Sequence, residues 1–398
     1  MTCSALLCFS PLAWCAIMLS EYFLYTSFLL LFYIYFGYPV AILMLSKIFK
    51  RAVRKGPCEP LVSIIIAAHN EEKCIGKTLE NKLALNYPKE KMEIIVISDG
   101  STDKTDDIVK EFKADNVRLL RQEPRNGKTS ALNMAVPEAN GEVIVFSDAN
   151  SIYEAYALRH IVENFNDHEV GYVTGKMIYT NPDGSITGDG CSAYMKYENF
   201  LRKYETAIGS VVGVDGGIDA VRKSLYKPMR ADQLPDFILP LMVIEQGYRV
   251  VYEPNAILKE DALNSSINEY RMRVRVSLRA LWALSDMRHL INPLKYGIFS
   301  WQLLSHKILR YMAFMLLLCL YISNVLLWNK GTQFQVTFLI QNAFYLTAYW
   351  GRREKGGGLL SKFVFVPYYF TLINLAAAQA FWKFLNRKKQ IIWNPRTG

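Results

Sequence analysis

Val62-Ser63-Ile64-Ile65-Ile66-Ala67 is an unbroken, mostly β-branched run that leads into a polar cluster, His69-Asn70-Glu71. Similar runs recur at Glu93–Ser98 (EIIVIS), Val117–Leu120 (VRLL) and Val143–Phe146 (VIVF), each bounded by turn-forming residues. Such runs read as strands, and their lack of polar alternation suits strands covered on both faces. Between them, Glu71–Leu85 and Asp103–Lys113 read as helices, with Ser101 or Thr102 as the cap of the second. From Pro60 to about Glu260 the pattern therefore predicts an α/β domain, a mostly parallel sheet with helices on both faces.

In open sheets of this kind ligands bind beyond the carboxyl ends of the strands. The residues there are His69, Asn70 and Glu71 after the first strand, Asp99 after the second, and Asp148, Ala149 and Asn150 after the fourth. Two nucleotide signatures are excluded. The stretch AAHNEEKCIGKT after the first strand lacks the GxGxxG spacing of a dinucleotide fold. Gly127-Lys128-Thr129 ends like a P-loop, but Gln122 stands where the first glycine is needed. What remains is acids and amides at strand ends, a pattern that can share a hard divalent cation with phosphate oxygens. For Asp148 taken alone, a turn or helix cap is the competing reading.

Outward from this middle the composition changes. Of 398 residues 51% are hydrophobic and 21% charged, and the apolar excess lies at the two ends. Tyr22–Ile48 has no charge before Lys47, and about 20 apolar residues suffice to cross a bilayer core. Residues 1–20 read as an interfacial or partly inserted segment, and the absence of a basic stretch ahead of them argues against a cleaved signal peptide. Lys47, Lys50, Arg51, Arg54 and Lys55 follow the first span, which predicts a cytoplasmic middle domain. Residues 307–328, 333–350 and 363–384 read as three further spans. Arg352, Arg353 and Lys355 precede the last of them and Arg387, Lys388 and Lys389 follow it, so both flanks carry the cytoplasmic signal. The seven cysteines show no CxxC pair and the five histidines no paired metal spacing, which fits a reduced compartment and no structural zinc. A net charge of +10 suits anionic headgroups and a diphosphate, and no long basic run points to nucleic acid.

VSIIIAAHNEE, IIVISDGSTDKT, NGKTSALNMA and IVFSDANS, followed by GGIDAVRKSLY, LPDFILP and GYRVVYEPNA, resemble in order a membrane-embedded family 2 glycosyltransferase with a GT-A fold, the group of cellulose and hyaluronan synthases. The resemblance covers roughly residues 60–285. It implies a donor pocket lined by Ala67, His69, Glu71 and Asp99, with Lys128 and Arg275 approaching the diphosphate, although a solvated loop lysine also explains Lys128. Asp148 and Asn150 fall at the metal-binding DxD position, with Asn in its second place, and Mg2+ or Mn2+ is implied. Asp236 is the implied catalytic base; Pro235 replaces the other acid of the usual pair, which leaves Asp232 as a substitute and helix capping as the alternative role of Asp236.

The expected organisation is an N-terminal membrane segment over 1–55, a cytoplasmic GT-A catalytic domain over 56–262, amphipathic interfacial helices over 263–305, and a C-terminal transmembrane region with a basic tail over 306–398. Within 268–285, Val274, Leu278, Leu281 and Trp282 form an apolar stripe beside Arg271, Arg275 and Arg279, as in a helix lying on a membrane; Arg271 and Arg279 then either snorkel to headgroups or face the site. Polymer-forming relatives place QxxRW there, whereas Met272-Arg273-Val274-Arg275-Val276 has the arginine without the glutamine or the tryptophan. The resemblance thus implies an inverting hexosyl- or N-acetylhexosaminyltransferase. It would use a UDP-sugar and a lipid-linked or oligosaccharide acceptor, in contact with membrane lipids of the plasma membrane, for surface polysaccharide. A processive synthase, a non-catalytic nucleotide-sugar sensor and a transporter are the competing classes.

Overall fold

The computed structural model describes residues 11–113, 116–180, 186–261, 265–352 and 361–390. Two helices, α1 (Pro11–Phe32) and α2 (Tyr38–Ile48), lead to the sheet-containing part. Its elements are β1 (Val62–Ala68), α3 (Ile75–Leu83), β2 (Met92–Asp99), α4 (Thr105–Glu111), β3 (Val117–Gln122), α5 (Lys128–Glu138) and β4 (Val143–Asp148). There follow β5 (Ile152–Tyr153), α6 (Ala157–Val162), β6 (Val170–Thr180), α7 (Ile186–Ile208), β7 (Ile218–Arg222), α8 (Pro235–Glu245) and β8 (Arg249–Asp261). The helices α9 (Ser266–Asp286), α10 (Pro293–Tyr296), α11 (Ile298–Leu303), α12 (Leu309–Leu326), α13 (Thr332–Gly351) and α14 (Ser361–Leu385) complete the described chain.

One eight-stranded sheet runs in the order β3-β2-β1-β4-β7-β6-β8-β5. The first four strands are mutually parallel, with Ile64 opposite Ile94 on one side and Val145 on the other. Strand β7 is antiparallel to β4 and β6, β6 and β8 are parallel, and β5 is antiparallel to β8. The sheet is therefore mixed: parallel where the βαβ pattern is plain, and antiparallel at β7 and β5. All seven residues of β1 and all eight of β2 are buried, because successive side chains feed opposite cores. Ile65, Ile97 and Ile144 pack on α5 and α8, while Ile64, Ile66 and Val96 pack on α3 and α6. The helices begin later than the sequence pattern predicts. Asn70, at φ 55°, turns the chain after β1, and Asp103 Oδ1 accepts the Thr105 N–H at 3.0 Å just ahead of α4.

Helices α1 and α2 are joined without a break by a π-helical turn at Tyr33–Gly37, and a second π turn at Leu304–Ile308 joins α11 to α12. The two turns meet, with Tyr33 Oη and Ser305 Oγ 2.7 Å apart. Among the described residues, three helices are long and apolar enough to cross a membrane: Ile17–Ile48, Ile298–Leu326 and Phe363–Leu385. The expected fourth, α13, forms a helix of 20 residues but carries Gln333, Gln335, Gln341 and Asn342 and is not among those three. Residues 11–20 continue the first helix instead of forming a separate interfacial segment, and residues 1–10 lie outside the described residues.

Helix α9 packs its apolar stripe on another helix. Its stripe of Val274, Leu278 and Leu281 is covered by Ala376 and Ala380 of α14. Periodicity reports that a face is apolar, and here the cover is protein. Trp282 Nε1 donates to Lys388 O at 2.9 Å, and Lys389 Nζ lies 2.5 Å from Asp232 Oδ2. The tail after α14 is thereby tied to α9 and to the residues before α8, while most of the basic stretch before α14 lies outside the described residues.

Candidate active site

The strand ends β1 and β4 and the N-termini of α5 and α8 surround a cavity of about 260 Å³. Ala67, Glu71, Lys128, Asp148, Asn150, Asp236 and Arg275 all line it. Pairing of β1 with β4 sets Ala67 opposite Asp148, so the two strand ends open on the same place. Lys128 is the first residue of α5, after Gly127 at φ 91°. Its Nζ lies 2.7 Å from Asp148 Oδ1 and 3.7 Å from Asp236 Oδ1. One ammonium thus links the two carboxylates that the sequence singles out. Burial opposes the Lys128 charge, but Asp148 and Asp236 outweigh it and hold the group above its ordinary range.

Asp236 sits in the first turn of α8, whose N-cap is Leu234. Its remaining 30% exposure opens into the cavity. Burial raises its affinity for a proton, Asp148 adds to that, and Lys128 and Arg279 act against it. A carboxylate so placed is a better base than one in water. Behind it lies Gly216 at φ 87°, where an added Cβ would stand 2.7 Å from Asp236 Cγ and Oδ2. Beyond Gly216, Asp219 is fully buried and accepts the Gly216 N–H at 2.9 Å. Burial, with Asp236 and Asp215 adding to it, pushes the Asp219 carboxyl up to about 7.

His69 and Asp99 do not line this cavity. The His69 Nδ1 lies 2.7 Å from Asp99 O. Asp99 is fully buried and accepts backbone N–H groups of Asn126 at 2.8 Å and Gly127 at 3.1 Å, as well as the Gln122 amide. Here Asp99 holds the loop that delivers Lys128. Asp232 is likewise set apart, ion-paired with Arg230 at 3.1 Å and with Lys389, which removes it as a substitute base. Arg279 does not snorkel: it is buried and donates to Thr129 Oγ1 at 3.0 Å and to Gln233 O, tying α9 to α5 and to the residues before Asp236. Arg271 is exposed.

The cavity also has walls that the motifs do not announce. Glu198 and Arg202 of α7 and Lys307 from the second candidate span face it. Burial disfavours the Glu198 charge, yet Lys307, Arg310 and His306 hold its carboxyl well below the usual range. Arg202 pairs with Asp215. An acid followed by two glycines (Asp215-Gly216-Gly217) is the only local signal in this region, and it does not name Glu198.

Comparison with known proteins assigns the middle of the chain. Residues 63–227 match the model for Glycosyl transferase family 2. They form a family 2 glycosyltransferase domain. The probable glycosyltransferase YdaM of Bacillus subtilis is 32% identical over 231 residues, 54% of this chain and 54% of its own length. A poly-beta-1,6-N-acetyl-D-glucosamine synthase of Staphylococcus aureus is 30% identical over 203 residues, 49% of this chain and 48% of its own. The chain spans about half the length of these curated relatives. Among solved structures, the mannosyltransferase PcManGT of Pyrobaculum calidifontis, in complex with GDP-Man and Mn2+, superposes with a TM-score of 0.69 over 91% of this chain and 99% of its own, at 19% identity. That likeness establishes the GT-A type fold of the family 2 domain with its helices.

Among the described residues no three His, Cys, Asp or Glu side chains converge on a metal site. The family 2 domain instead presents one carboxylate, Asp148, next to one amide, Asn150, at an open cavity. This donor set fits Mg2+ or a similar hard cation, which takes one or two carboxylates and completes its shell with substrate phosphates and water.

Proposed function

We propose that this chain is an inverting glycosyltransferase that moves a hexose or N-acetylhexosamine from a UDP-sugar to a lipid-linked or saccharide acceptor in surface polysaccharide synthesis. The observation that carries the reading is the single ammonium of Lys128 between Asp148 and Asp236 at the mouth of two strand ends. Each of the three has a distinct task in one displacement. The Asp236 carboxylate takes the proton of the acceptor hydroxyl, whose oxygen attacks the anomeric carbon as the bond to the diphosphate breaks. Lys128, released from Asp148 by the incoming diphosphate, offsets the charge that develops on the leaving group, and Arg275 faces the same cavity. Asp148 and Asn150 would hold Mg2+ or Mn2+, which when bound supplies further charge compensation at the diphosphate.

The acceptor side supports addition of one or a few sugars. Met272 and Val276, which stand at the glutamine and tryptophan places of QxxRW, face the cavity, and Trp282 is stacked edge-on against Phe384 at 4.7 Å. Sizing the product made from labelled donor tests this; a long polymer made without other enzymes excludes it. We place the protein in the plasma membrane as a multi-pass chain with its catalytic domain in the cytoplasm, on the strength of the cations after the first candidate span and the tail docked on the catalytic domain.

The roles separate in binding experiments. Asp148→Ala lowers the affinity for UDP measured with Mn2+ present, whereas Asp236→Asn leaves it near the wild-type value and abolishes transfer. Equal loss of affinity in both variants defeats the assignment.

A further inference from the structure

One face of α3 grips the loop that carries Asp148 and Asn150. Thr78 Oγ1 donates to Ala149 O at 2.6 Å, and Lys82 Nζ donates to Ser151 O at 2.6 Å. Asn81 Nδ2 donates to Tyr153 O at 2.9 Å while its Oδ1 accepts the Tyr153 N–H at 2.8 Å. Positions 78, 81 and 82 stack on one helical face, so three consecutive side chains of that face hold residues 149, 151 and 153 by the backbone.

Lys82 is the unusual member. Its side chain is fully buried, and its ammonium has three neutral partners for three N–H bonds. They are Ser151 O, Asn81 Oδ1 at 3.2 Å and the face of Tyr153, whose centroid lies 3.4 Å from Nζ. Tyr153 is itself pinned, donating to Gly217 O at 2.8 Å. A buried ammonium is costly where a methionine or leucine would fill the same space, and packing alone does not account for it. Two of its contacts, Ser151 O and the Tyr153 ring, lie just after Asn150, and the third, Asn81, itself holds Tyr153.

We propose that Lys82 is a positioning residue for that loop: from beneath it fixes the backbone just after Asn150, as Thr78 fixes it just before, and so the spacing of Asn150 and Asp148 needed by a divalent cation shared with the donor diphosphate. The inference rests on the function proposed above. Residues that orient metal ligands from behind alter metal affinity by about 10–100-fold when lost, without touching the metal or the nucleotide.

The test uses the full-length protein in detergent micelles, with UDP and Mn2+ as probes and calorimetric titration as the readout. For Lys82→Met the expectation is unchanged UDP affinity without metal, and a loss of about tenfold or more in the enhancement that Mn2+ gives. Thr78→Val, which removes the bond to Ala149 O with no change of charge or shape, moves the enhancement the same way and carries the test alone if Lys82→Met does not fold. A metal enhancement within about twofold of wild type in the folded variants overturns the proposal, as does an equal loss of UDP affinity with and without metal, which is what general loosening of the fold gives. A wild-type protein that binds UDP no better with Mn2+ than without it is a different result: it strikes at the functional reading itself, and at this inference with it.

Discussion

Gly216→Ala is a small change aimed at the supposed base without touching any charged group. The methyl would lie 2.7 Å from both Cγ and Oδ2 of Asp236 and 3.1 Å from its Cβ. Carbon contacts are comfortable from about 3.5 Å, so the carboxylate has to retreat by roughly 0.8 Å, or the backbone has to move by as much. The backbone is itself constrained, because φ is 87° at this position and an L-residue there costs about 1–2 kcal/mol. Misplacement of a reacting group by about 1 Å costs on the order of 100-fold in rate. We therefore expect single-turnover transfer, measured by rapid quench with saturating donor, to slow by about 10–100-fold, with the affinity for UDP and Mn2+ near that of wild type. A thermal midpoint lowered by a few degrees accompanies it, by roughly 4–8 °C per kcal/mol for a small domain and less for a larger one. A variant that turns over at the wild-type rate, or one whose donor affinity falls as far as its rate, refutes the placement of Asp236 as the base.

Two further outcomes follow from buried carboxylates. Asp219 titrates near 7 in the fold against an ordinary value of 3.8, so its neutral form is favoured by folding; the stabilisation is complete below about pH 4 and is lost as pH rises toward 7, a loss of up to about 4 kcal/mol. Asp219→Asn, still able to accept the Gly216 N–H, should gain on wild type in thermal midpoint between pH 4.5 and pH 7.5, and a gain independent of pH contradicts the buried, protonated Asp219. Asp99→Ala leaves the Asn126 and Gly127 N–H groups without their acceptor, at about 1–3 kcal/mol, and should weaken donor binding through the displaced Lys128; unaltered stability and binding rule out the anchoring role given to Asp99.

The parallel half of the sheet is legible because β1, β2 and β4 are covered on both faces and carry almost nothing polar, so their residues alone mark them. The other half is not. Strand β8 contains Glu253, Pro254, Asn255 and Lys259, and β6 mixes Gly171, Gly175 and Lys176 into its run; these strands lie toward the sheet edge and serve loops, so apolar patterning fades there. In the site, Asp148 and Lys128 are readable as polar groups at a strand end and a helix start, and their meeting in the cavity agrees with the pattern. Asp99 stands at a strand end too, yet its oxygens turn to the 126–127 backbone, and local sequence carries no sign of that. Arg279 and the stripe of α9 illustrate the same limit: a period of 3.6 identifies an apolar face and a row of cations, whereas the identity of the cover, here α14 and the residues before α8, depends on contacts more than 40 residues distant in sequence. Lys82 carries no signal in the sequence, where a lysine in a helix reads as a solvated one.

The most direct test of the account is transfer itself. Purified full-length protein with Mn2+ is given a panel of labelled nucleotide sugars and a membrane lipid extract, and both nucleoside diphosphate release and the labelled glycan or glycolipid are measured, beside Asp236→Asn. The account predicts that one nucleotide sugar supports metal-dependent release matched by a labelled product, and that Asp236→Asn binds that donor yet forms no product. Donor binding by the wild-type protein with neither transfer nor hydrolysis, for every nucleotide sugar tried, would contradict it and leave a sensor in its place.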